Sequence, residues 1–506
     1  MEGDLTLCFL CGKPSSDTCS YCLQVGYCSK YHLSKHRAQD RCLPFRVEVN
    51  QEKGRYVVAT RDIAPLELVI LDTPGSIGPK QFTKPVCLSC LSPVSGEFSC
   101  SSCNYPMCSQ ECAENVIHTQ GECNIFPRFP DIKDYSTVQP QYECIAPLRL
   151  ILNKNKDPLL WDMIKLHKDH TQDRIRINPQ LVQEESYKIT GLLLQFCNLS
   201  GAGFTEQDII FSSSVLATHA VSVGENGRGF YPVFAFMSHS CTYNARHVID
   251  ESNCIRVYSQ TQIKQGEEIC ITYTSLLSCT SHRQEKLRNL WFFSCTCARC
   301  SDPTELGTYI SSVSCPSCPN NGYLVLEKDA WKCGECSLKV SESLVSSLLQ
   351  STRDIMGNSQ NGIEKHEHFL NQTKQLLHPN NYQVLITERI LSQLYGRGED
   401  KVPREDLLRK IGLCKHLLSI IEILDPGFSQ FRGLTLYQLF LGEYHLLFQD
   451  KLNLENILES ERKVLRETLE LCMRCLSVEL ESSTSGRVYT RAKGYLELIN
   501  QTNEKS

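Results

Sequence analysis

The most informative stretch of this chain is residues 87–123, which read CLSCLSPVSGEFSCSSCNYPMCSQECAENVIHTQGEC. Its possible metal ligands are Cys87, Cys90, Cys100, Cys103, Cys108, Cys112, His118 and Cys123. A Cys-x2-Cys pair can place two sulfur atoms on one zinc ion, each about 2.3 Å from the metal. Eight ligands are enough for two tetrahedral sites, so the spacing predicts a finger that holds two structural zinc ions.

The N-terminus repeats this pattern with small changes. Its possible ligands are Cys8, Cys11, Cys19, Cys22, Cys28, His32, His36 and Cys42. Recurrence of one spacing makes a chance arrangement a poor explanation. His32 stands where the other cluster has Cys112, and the gap before Cys42 differs, so the histidine that completes this finger is left open.

Two further groups of cysteines follow residue 290. The first has three thiols, one short of a tetrahedral site, so its fourth ligand must come from elsewhere in the fold. The second has the paired spacing of a zinc ribbon. These groups are Cys295, Cys297 and Cys300, then Cys315, Cys318, Cys333 and Cys336.

The cysteine content also bears on the compartment. The chain has 29 cysteines in 506 residues, whereas disulfide-dense proteins are short and secreted. Residues 1–7 have neither the basic nor the apolar region of a signal peptide. We therefore expect a soluble protein of the cytoplasm, the nucleus or both, with thiolates held by metal.

Composition limits the other classes of function. The length suggests three to four domain-sized units. A formal net charge of −5 argues against sequence-specific DNA binding, which favours a basic surface. Apolar runs such as Leu417–Leu424 are too short to cross a bilayer.

Residue patterns predict an α+β protein of several domains. The run YVVATRDIAPLELVIL at 56–71 favours two short strands joined by a turn. Residues 144–200 have helical periodicity, and we expect short strands again over 204–275, at 254–258 and 268–273. Helices that include 407–424, 434–447 and 458–476 predict an all-α region of bundle or helical-repeat type.

The segment 229–244, GFYPVFAFMSHSCTYN, resembles a SET methyltransferase domain when it is read with 266–273, GEEICITY, and the cysteines that follow. A zinc finger inserted in such a domain resembles the SMYD family, whose name joins SET and MYND. LLHPNNY at 376–382 and LDPGFSQFRG at 424–433 are similar to the helical domain of that family. The extra N-terminal finger resembles the arrangement of the arthropod-type members.

The resemblance implies S-adenosylmethionine and structural zinc as cofactors. It implies that Tyr273 is the catalytic-pocket tyrosine and that Cys241 is the fourth ligand of the post-SET zinc. Phe293 would pack on adenine, and Asn244 would be structural. The implied cofactor-binding residues are Gly54, Arg55, His219, Ser238, His239, Tyr273 and Phe293. The eight cysteines outside the clusters, which we interpret as core residues, are Cys144, Cys197, Cys254, Cys270, Cys279, Cys414, Cys472 and Cys475.

Three positions in the implied cofactor pocket depart from the family pattern. Tyr56 replaces the second glycine of a Gly-x-Gly turn, and its ring could occlude the site. His219 and Ser238 each stand where the family has asparagine. Each lost hydrogen bond would weaken cofactor binding by about 1 kcal/mol unless other residues compensate.

Two functions therefore remain open. The first is a protein-lysine N-methyltransferase acting on histones or other proteins in gene regulation. The second is a catalytically weak or inactive adaptor that recruits transcriptional co-regulators by binding their proline-rich peptides with its MYND fingers. In either case we expect a monomer that binds neither membrane nor specific DNA.

The expected boundaries follow from these assignments. They are an N-terminal finger at 1–42, the first part of SET at 43–86, the inserted finger at 87–123, the SET insert and core at 124–280, the post-SET site at 281–304, the ribbon at 305–340 and the helical domain at 341–506.

Overall fold

The computed structural model describes residues 7–38, 41–126, 142–318, 322–327, 330–357, 362–397, 402–451 and 458–501. The architecture is mixed α+β, as predicted. Small cysteine-rich modules and short sheets occupy the first two thirds of the chain, and long helices form the last third. None of the helices in the described ranges has the length and apolar character that a bilayer span requires.

The N-terminal finger consists of two short ribbons around one helix. Its elements are β1 (Asp17–Thr18), β2 (Gly26–Tyr27), α1 (Lys30–His36), β3 (Arg37–Ala38) and β4 (Arg41–Cys42). Strand β1 pairs with β2, and β3 pairs with β4, both antiparallel. Ser29 caps α1 by accepting a hydrogen bond from the backbone N–H of His32 at 3.2 Å, which fixes where the helix begins.

Short sheets build the core that follows. Their strands are β5 (Phe45–Asn50), β6 (Gly54–Ala59), β7 (Leu68–Asp72), β8 (Ser76–Pro79), β9 (Val221–Val223), β10 (Gly227–Phe230), β11 (Ser238–His239), β12 (Ala245–Ile249), β13 (Ile255–Ser259) and β14 (Cys270–Ile271). Three antiparallel sheets have the orders β5-β6, β12-β13-β7 and β8-β10-β9. Burial alternates along β13, as expected for a strand with one face on the core.

The parallel pair of β11 and β14 joins two distant segments of the chain. Asn244 holds them together from the loop after β11. Its side-chain oxygen accepts a hydrogen bond from the Cys270 N–H, and its side-chain nitrogen donates to the Glu268 carbonyl, both at 2.9 Å. This crossing places Tyr273, just after β14, beside the segment 237–241.

The second finger and a helical insert lie between β8 and β9. Their helices are α2 (Gln110–Glu114), α3 (Val116–Thr119), α4 (Ile145–Ile151), α5 (Asn153–Lys156), α6 (Pro158–Ile164), α7 (Thr171–Ile177), α8 (Pro179–Thr190) and α9 (Glu206–His219). The helical prediction for 144–200 is confirmed. The prediction of strands from residue 204 is wrong at its start, because α9 occupies 206–219. A capping box between Thr205 and Asp208 starts this helix, and its Thr-x-x-Asp spacing was present in the sequence.

The N-terminal finger is docked on the sheets by a buried ion pair. The Lys35 ammonium lies 3.1 Å from the Asp72 carboxylate at the end of β7. The other oxygen of Asp72 accepts the backbone N–H groups of Val233 and Phe234 at 2.6 and 3.1 Å. Removal of either charge would leave its partner buried and unpaired, which typically costs about 3–5 kcal/mol.

The chain continues through a cysteine-containing segment, a small sheet and the long helices. The elements are α10 (Thr280–Trp291), α11 (Ala298–Ser301), β15 (Val313–Ser314), β16 (Tyr323–Glu327), β17 (Ala330–Cys333), β18 (Lys339–Val340), α12 (Glu342–Gly357), α13 (Ile363–Thr373), α14 (Tyr382–Leu394), α15 (Arg404–Leu424), α16 (Gln430–Lys451), α17 (Glu459–Leu476) and α18 (Thr484–Gln501). The three helices predicted at 407–424, 434–447 and 458–476 are confirmed as α15, α16 and α17.

The loop between α15 and α16 packs directly on the sheets of the core. Gln260 donates to the Asp425 carboxylate at 2.5 Å, and its carbonyl accepts the Phe428 N–H at 3.0 Å. Gly427 has φ +86°, and a Cβ there would lie 2.3 Å from the Gln260 carbonyl oxygen. Only glycine fits this contact, so the LDPGF motif fixes how the helices meet the core.

His416 of α15 makes hydrogen bonds from both ring nitrogens. Nδ1 lies 2.6 Å from the Glu388 carboxylate, and Nε2 lies 2.8 Å from the Asn380 side-chain oxygen. Because both partners are acceptors, the ring is doubly protonated in this arrangement. The hydrogen bond to Glu388 raises the pKa of His416 above its usual value.

We therefore expect His416 to stabilise the helical region in a pH-dependent way. A raised folded-state pKa gives stability that is complete below the unfolded-state pKa and is lost as pH rises through the folded-state value. At pH 6 the free energy of unfolding of the wild-type protein should be about 1 kcal/mol higher than that of His416→Gln. This difference should be smaller at pH 8.5. Denaturant unfolding at both pH values measures it, with His368→Gln on the exposed side of α13 as a control. A difference that is constant with pH would contradict the assignment.

Candidate functional site

The first finger holds two interleaved groups of ligands. One comprises Cys8, Cys11, Cys28 and His32, and the other comprises Cys19, Cys22, His36 and Cys42. Each histidine therefore lies in one of the two groups, so the geometry favours both as ligands. His32 faces its group with Nδ1, 3.4 Å from Cys8, and His36 faces its group with Nε2, 3.2 Å from Cys22. Burial lowers the pKa of His36 to about 4, which keeps the ring in the neutral form that binds metal.

The second finger repeats the interleaved plan. Its groups are Cys87, Cys90, Cys108 and Cys112, then Cys100, Cys103, His118 and Cys123. The Nε2 atom of His118 faces Cys103 at 3.4 Å, while Nδ1 lies 2.6 Å from the Glu122 carboxylate. Arg149 of α4 contacts the same carboxylate at 2.7 Å. A carboxylate behind a metal-binding histidine sets its orientation, and Glu122 with Arg149 also ties this finger to the helical insert.

The post-SET group brings Cys241 together with Cys295, Cys297 and Cys300, as the resemblance implied. The Arg283 guanidinium, which sequence reasoning missed, lies over this group. Its Nε donates to the Cys241 sulfur at 3.2 Å, and Nη2 donates to the Cys300 sulfur at 3.5 Å. Four thiolates around Zn²⁺ carry a net charge of −2, so the buried cation offsets half of it. Glu305 holds Arg283 in place at 2.8 Å.

The ribbon cysteines also converge. The sulfur atoms of Cys315 and Cys336 are 3.8 Å apart, and Cys315 also lies within hydrogen-bonding range of Cys333. Cβ atoms of Cys315 and Cys318 approach Gly322 so closely that a side chain at this glycine would collide with the cluster. The loop therefore needs glycine for the cysteines to meet.

These groups fit zinc. In a tetrahedral site with zinc–sulfur bonds of about 2.3 Å, neighbouring sulfur atoms lie about 3.8 Å apart. Sulfur–sulfur contacts in the fingers run from 3.2 Å to 3.7 Å, and within each finger and post-SET group all ligand atoms lie within 4.8 Å of one another. Each group supplies four protein ligands, so the sites are structural, with no open position for chemistry.

Tyr273 and His239 lie beside the post-SET group. The Tyr273 N–H donates to His239 Nδ1 at 2.9 Å, and His239 Nε2 lies 3.3 Å from the Cys241 sulfur. Since Nδ1 accepts a hydrogen bond, the ring proton of neutral His239 is on Nε2, where it can donate to the sulfur. The imidazole thus connects the metal ligand to the backbone of Tyr273.

The Tyr273 hydroxyl donates to the Met237 carbonyl at 2.5 Å. Burial raises the pKa of Tyr273, so the phenol stays protonated at neutral pH. Its ring lies 4.9 Å from Trp291 and 5.2 Å from His239, and Phe293 lies 6.0 Å from His239. The arrangement is an aromatic enclosure with one oriented hydroxyl.

A cluster of histidines borders this enclosure on the helical-insert side. His167 stacks on Phe236 with ring centres 4.2 Å apart and lies 5.4 Å from His219. His170 stacks on Phe292 at 5.0 Å. Burial lowers the pKa of His167 well below its usual value and that of His219 to about 4, so both rings are neutral.

Arg55 and Tyr56 are adjacent residues of β6, and their side chains make contacts on different sides of the strand. Arg55 reaches the Leu166 carbonyl at 3.0 Å, next to the histidine cluster. The Tyr56 hydroxyl donates to Glu48 on β5 at 3.0 Å. Neighbouring side chains on a strand point to opposite faces, so the Tyr56 ring lies on the face away from Arg55.

The comparisons with known proteins agree with this geometry. Residues 54–274 match the SET domain family, a range that contains β6, the second finger and Tyr273. The SET domain-containing protein SmydA-8, isoform A, of Drosophila melanogaster is 27% identical over 77% of this chain and 86% of its own length. The chain is therefore similar to a SMYD protein over more than its SET-type segment. Human N-lysine methyltransferase SMYD2 is 30% identical over 22% of each chain.

More distant relatives of this chain include the histone-lysine N-methyltransferase ASHR1 of Arabidopsis thaliana, 24% identical over 63% of this chain and 68% of its own length. Among solved structures, Rubisco LSMT bound to AdoMet matches with 12% identity and a TM-score of 0.32, covering 91% of this chain and 89% of its own. A structural likeness of that size supports no statement about function.

The fold brings the predicted pocket residues together unevenly. His239, Tyr273 and Phe293 form one neighbourhood, and Ser238 precedes it on β11. Arg55 and His219 lie in the second neighbourhood around His167. Gly54 begins β6, next to Arg55, and has φ +75°, a backbone conformation that favours glycine. The sequence interpretation missed His167, His170 and Phe292, which only the fold brings near His219.

Loss of the fourth post-SET ligand tests the metal assignment. We expect Cys241→Ala to lower the bound zinc by one ion per chain, because three thiolates hold zinc less well than four. Metal analysis after gel filtration measures the ratio, and Cys254→Ala, a cysteine outside every cluster, is the control. An unchanged zinc content in Cys241→Ala would show that Cys241 is not a ligand.

Proposed function

We propose that this chain is a SMYD-type, S-adenosylmethionine-dependent protein-lysine N-methyltransferase. The observation that carries the proposal is the placement of Tyr273: its hydroxyl and its backbone are both held, by Met237 and His239, beside the post-SET cysteines. The match to the SET domain and the methyltransferase names of several relatives support the same class.

The residues that would hold the cofactor fit an extended, partly aromatic ligand. Phe293 and His239 offer ring faces, and Ser238 is next to His239 on β11. Arg55 and His219 offer polar groups in the neighbourhood of His167. Gly54 leaves open space, since a Cβ there would meet no atom within 4 Å. When bound, S-adenosylmethionine supplies a methyl group attached to a positively charged sulfur.

The protein's own contribution would be to favour the neutral form of the substrate lysine and to orient it. A free lysine has a pKa of about 10.4, and only the neutral amine has the lone pair needed for attack. Aromatic walls such as Tyr273 and Trp291 disfavour the ammonium form and bind the alkyl chain. The neutral Tyr273 hydroxyl and the Met237 carbonyl are oriented acceptors for weak C–H···O contacts. Most of the rate enhancement would then come from positioning, without a metal in the reaction step.

The three departures from the family pattern are accommodated locally. The Tyr56 ring is held on the opposite face of β6 from Arg55. His219 is neutral, and its Nε2 is already bound to the Lys168 carbonyl at 2.9 Å. Ser238 keeps its backbone in the pairing with Cys270. These contacts favour a working pocket over an occluded one.

Histones or other proteins are the proposed substrates, with gene regulation as the proposed role. Recruitment of partners by the fingers is the second candidate function. It is favoured by Tyr21 and Leu23 of the first finger, whose side chains are 66% and 67% exposed. Exposed apolar side chains on a rigid finger suit peptide binding. The two functions are compatible in one molecule.

Transfer of a labelled methyl group to a histone mixture tests the enzyme proposal. Tyr273→Phe should lower the rate by about 100-fold, the usual effect of losing one oriented hydrogen-bonding group in an active site. Tyr258→Phe, on β13 outside the site, should retain full activity. Equal activity in both variants would contradict the role of Tyr273, and no transfer by the wild-type protein to any histone or lysate protein would favour recruitment.

A further inference from the structure

The two ligand groups of the second finger differ in their access to solvent. In the inner group, which is Cys100, Cys103, His118 and Cys123, all four residues are buried. The outer group is Cys87, Cys90, Cys108 and Cys112, and two of its residues are exposed while a third is half-buried. Among the 29 cysteines of the chain, all of which the structure describes, only Cys90 and Cys108 are exposed.

The outer group also lacks a cation that would offset its charge. With Zn²⁺ bound, four thiolates carry a net charge of −2, and in the post-SET group the Arg283 guanidinium donates to two of the sulfur atoms. Among the described residues, no lysine or arginine donates to a sulfur of the outer group, whose sulfur atoms contact one another. Oxidants attack thiolates that are accessible to solvent. Exposure and uncompensated charge together make the outer group the cluster most open to oxidation.

Cys108 occupies the centre of the outer group. Its sulfur lies 3.2 Å from that of Cys112, 3.5 Å from that of Cys90 and 3.6 Å from that of Cys87. A sulfenic acid condenses with a nearby thiol to a disulfide. The short distance to Cys112 therefore favours a disulfide over further oxidation of Cys108.

The outer group also holds a leucine of the core in place. Leu91 follows Cys90 directly and has φ +63°, a left-handed conformation that is unfavourable for leucine. Its N–H donates to the Cys87 carbonyl at 2.9 Å. Its side chain packs so closely on β10 that a Cβ at Gly227 would lie 2.3 Å from Leu91 Cδ1. Ligation of Cys87 and Cys90 fixes this turn, so loss of the metal would allow Leu91 to relax and leave β10.

We propose that the outer group is a peroxide-sensitive switch, in which a disulfide between Cys108 and Cys112 releases the metal and loosens Leu91 from β10. The Cys108 thiolate attacks one peroxide oxygen, the O–O bond breaks, and a sulfenic acid and a hydroxide form. The Cys112 thiolate then attacks the Cys108 sulfur and displaces a second hydroxide. Two protons from solvent convert both hydroxides to water. Two thiolates thus lose two electrons, and one peroxide molecule gains them.

Hydrogen peroxide added to the zinc-loaded full chain tests the proposal, with released zinc measured by the absorbance of 4-(2-pyridylazo)resorcinol. We expect one zinc ion per chain to leave in a first phase, about tenfold faster than the others, because reactivity follows thiolate exposure. Alkylation and mass spectrometry at the end of this phase should find Cys108 joined to Cys112. Dithiothreitol with added zinc should restore both the thiols and the metal content.

A variant that copies the first finger supplies the matched comparison. Cys112→His gives the outer group the ligand types of its counterpart, which is Cys8, Cys11, Cys28 and His32. The change removes the thiolate nearest to Cys108 and reduces the net charge of the loaded group to −1. Zinc release from this variant should be about tenfold slower than from wild type. Cys254→Ala, which lies outside every cluster, should release zinc like wild type.

Hydrogen exchange reports the structural consequence without any measurement of activity. After the first phase, wild-type protein should lose amide protection at Leu91 and over residues 226–230, and Cys112→His should keep it under the same exposure to peroxide. Zinc analysis before peroxide is added checks that the variant is loaded. If the variant does not load, disulfide mapping in the wild-type protein decides.

Three results would overturn the proposal. First-phase oxidation at the inner, N-terminal, post-SET or ribbon cysteines would place the sensitive cluster elsewhere. Zinc release without a change in exchange at Leu91 would show that the outer group does not hold this loop. Failure of dithiothreitol and zinc to restore the metal content would mean damage in place of a switch.

Discussion

A line of short contacts from metal ligand to tyrosine holds the candidate site together. Arg283 lies on the sulfur of Cys241, the sulfur lies against Nε2 of His239, and Nδ1 of His239 accepts the N–H of Tyr273. The hydroxyl of Tyr273 then ends on the Met237 carbonyl. Because each contact fixes the donor or acceptor role of the next, a change at the cysteine cluster would reach the tyrosine through two hydrogen bonds. Structural zinc would in this way position an active site without taking part in the chemistry.

Other buried polar contacts hold the separate modules in place around the site. Lys35 and Asp72 join the first finger to the sheets, and Arg149 and Glu122 join the second finger to the helical insert. Gly427 lets the loop of the helical region approach the SET core. The fingers are thus part of one packed body, and a recruiting role for them would present peptides from a fixed position.

Cysteine spacing singled out most of the side chains that the described part of the fold brings together in groups of four, because a Cys-x2-Cys pair is a local feature. It did not predict which pairs share a metal, since interleaving depends on the path of the chain between them. The roles of Arg283 and Glu122 could not be predicted from the sequence, because single arginines and glutamates are common. Only the fold places these two beside sulfur or imidazole. The histidine cluster around His167 was missed because its members come from separate elements. The pocket roles of His219 and Ser238 rest on resemblance and stay predictions.

Binding of S-adenosylmethionine is the most direct test of the account. Calorimetric titration into the zinc-loaded full chain should show one site with affinity in roughly the micromolar range. Tyr56→Gly should change that affinity little, because the Tyr56 hydroxyl is held by Glu48 on the face away from Arg55. No binding by the folded wild-type protein, with binding restored in Tyr56→Gly, would contradict the account and show that the tyrosine closes the pocket.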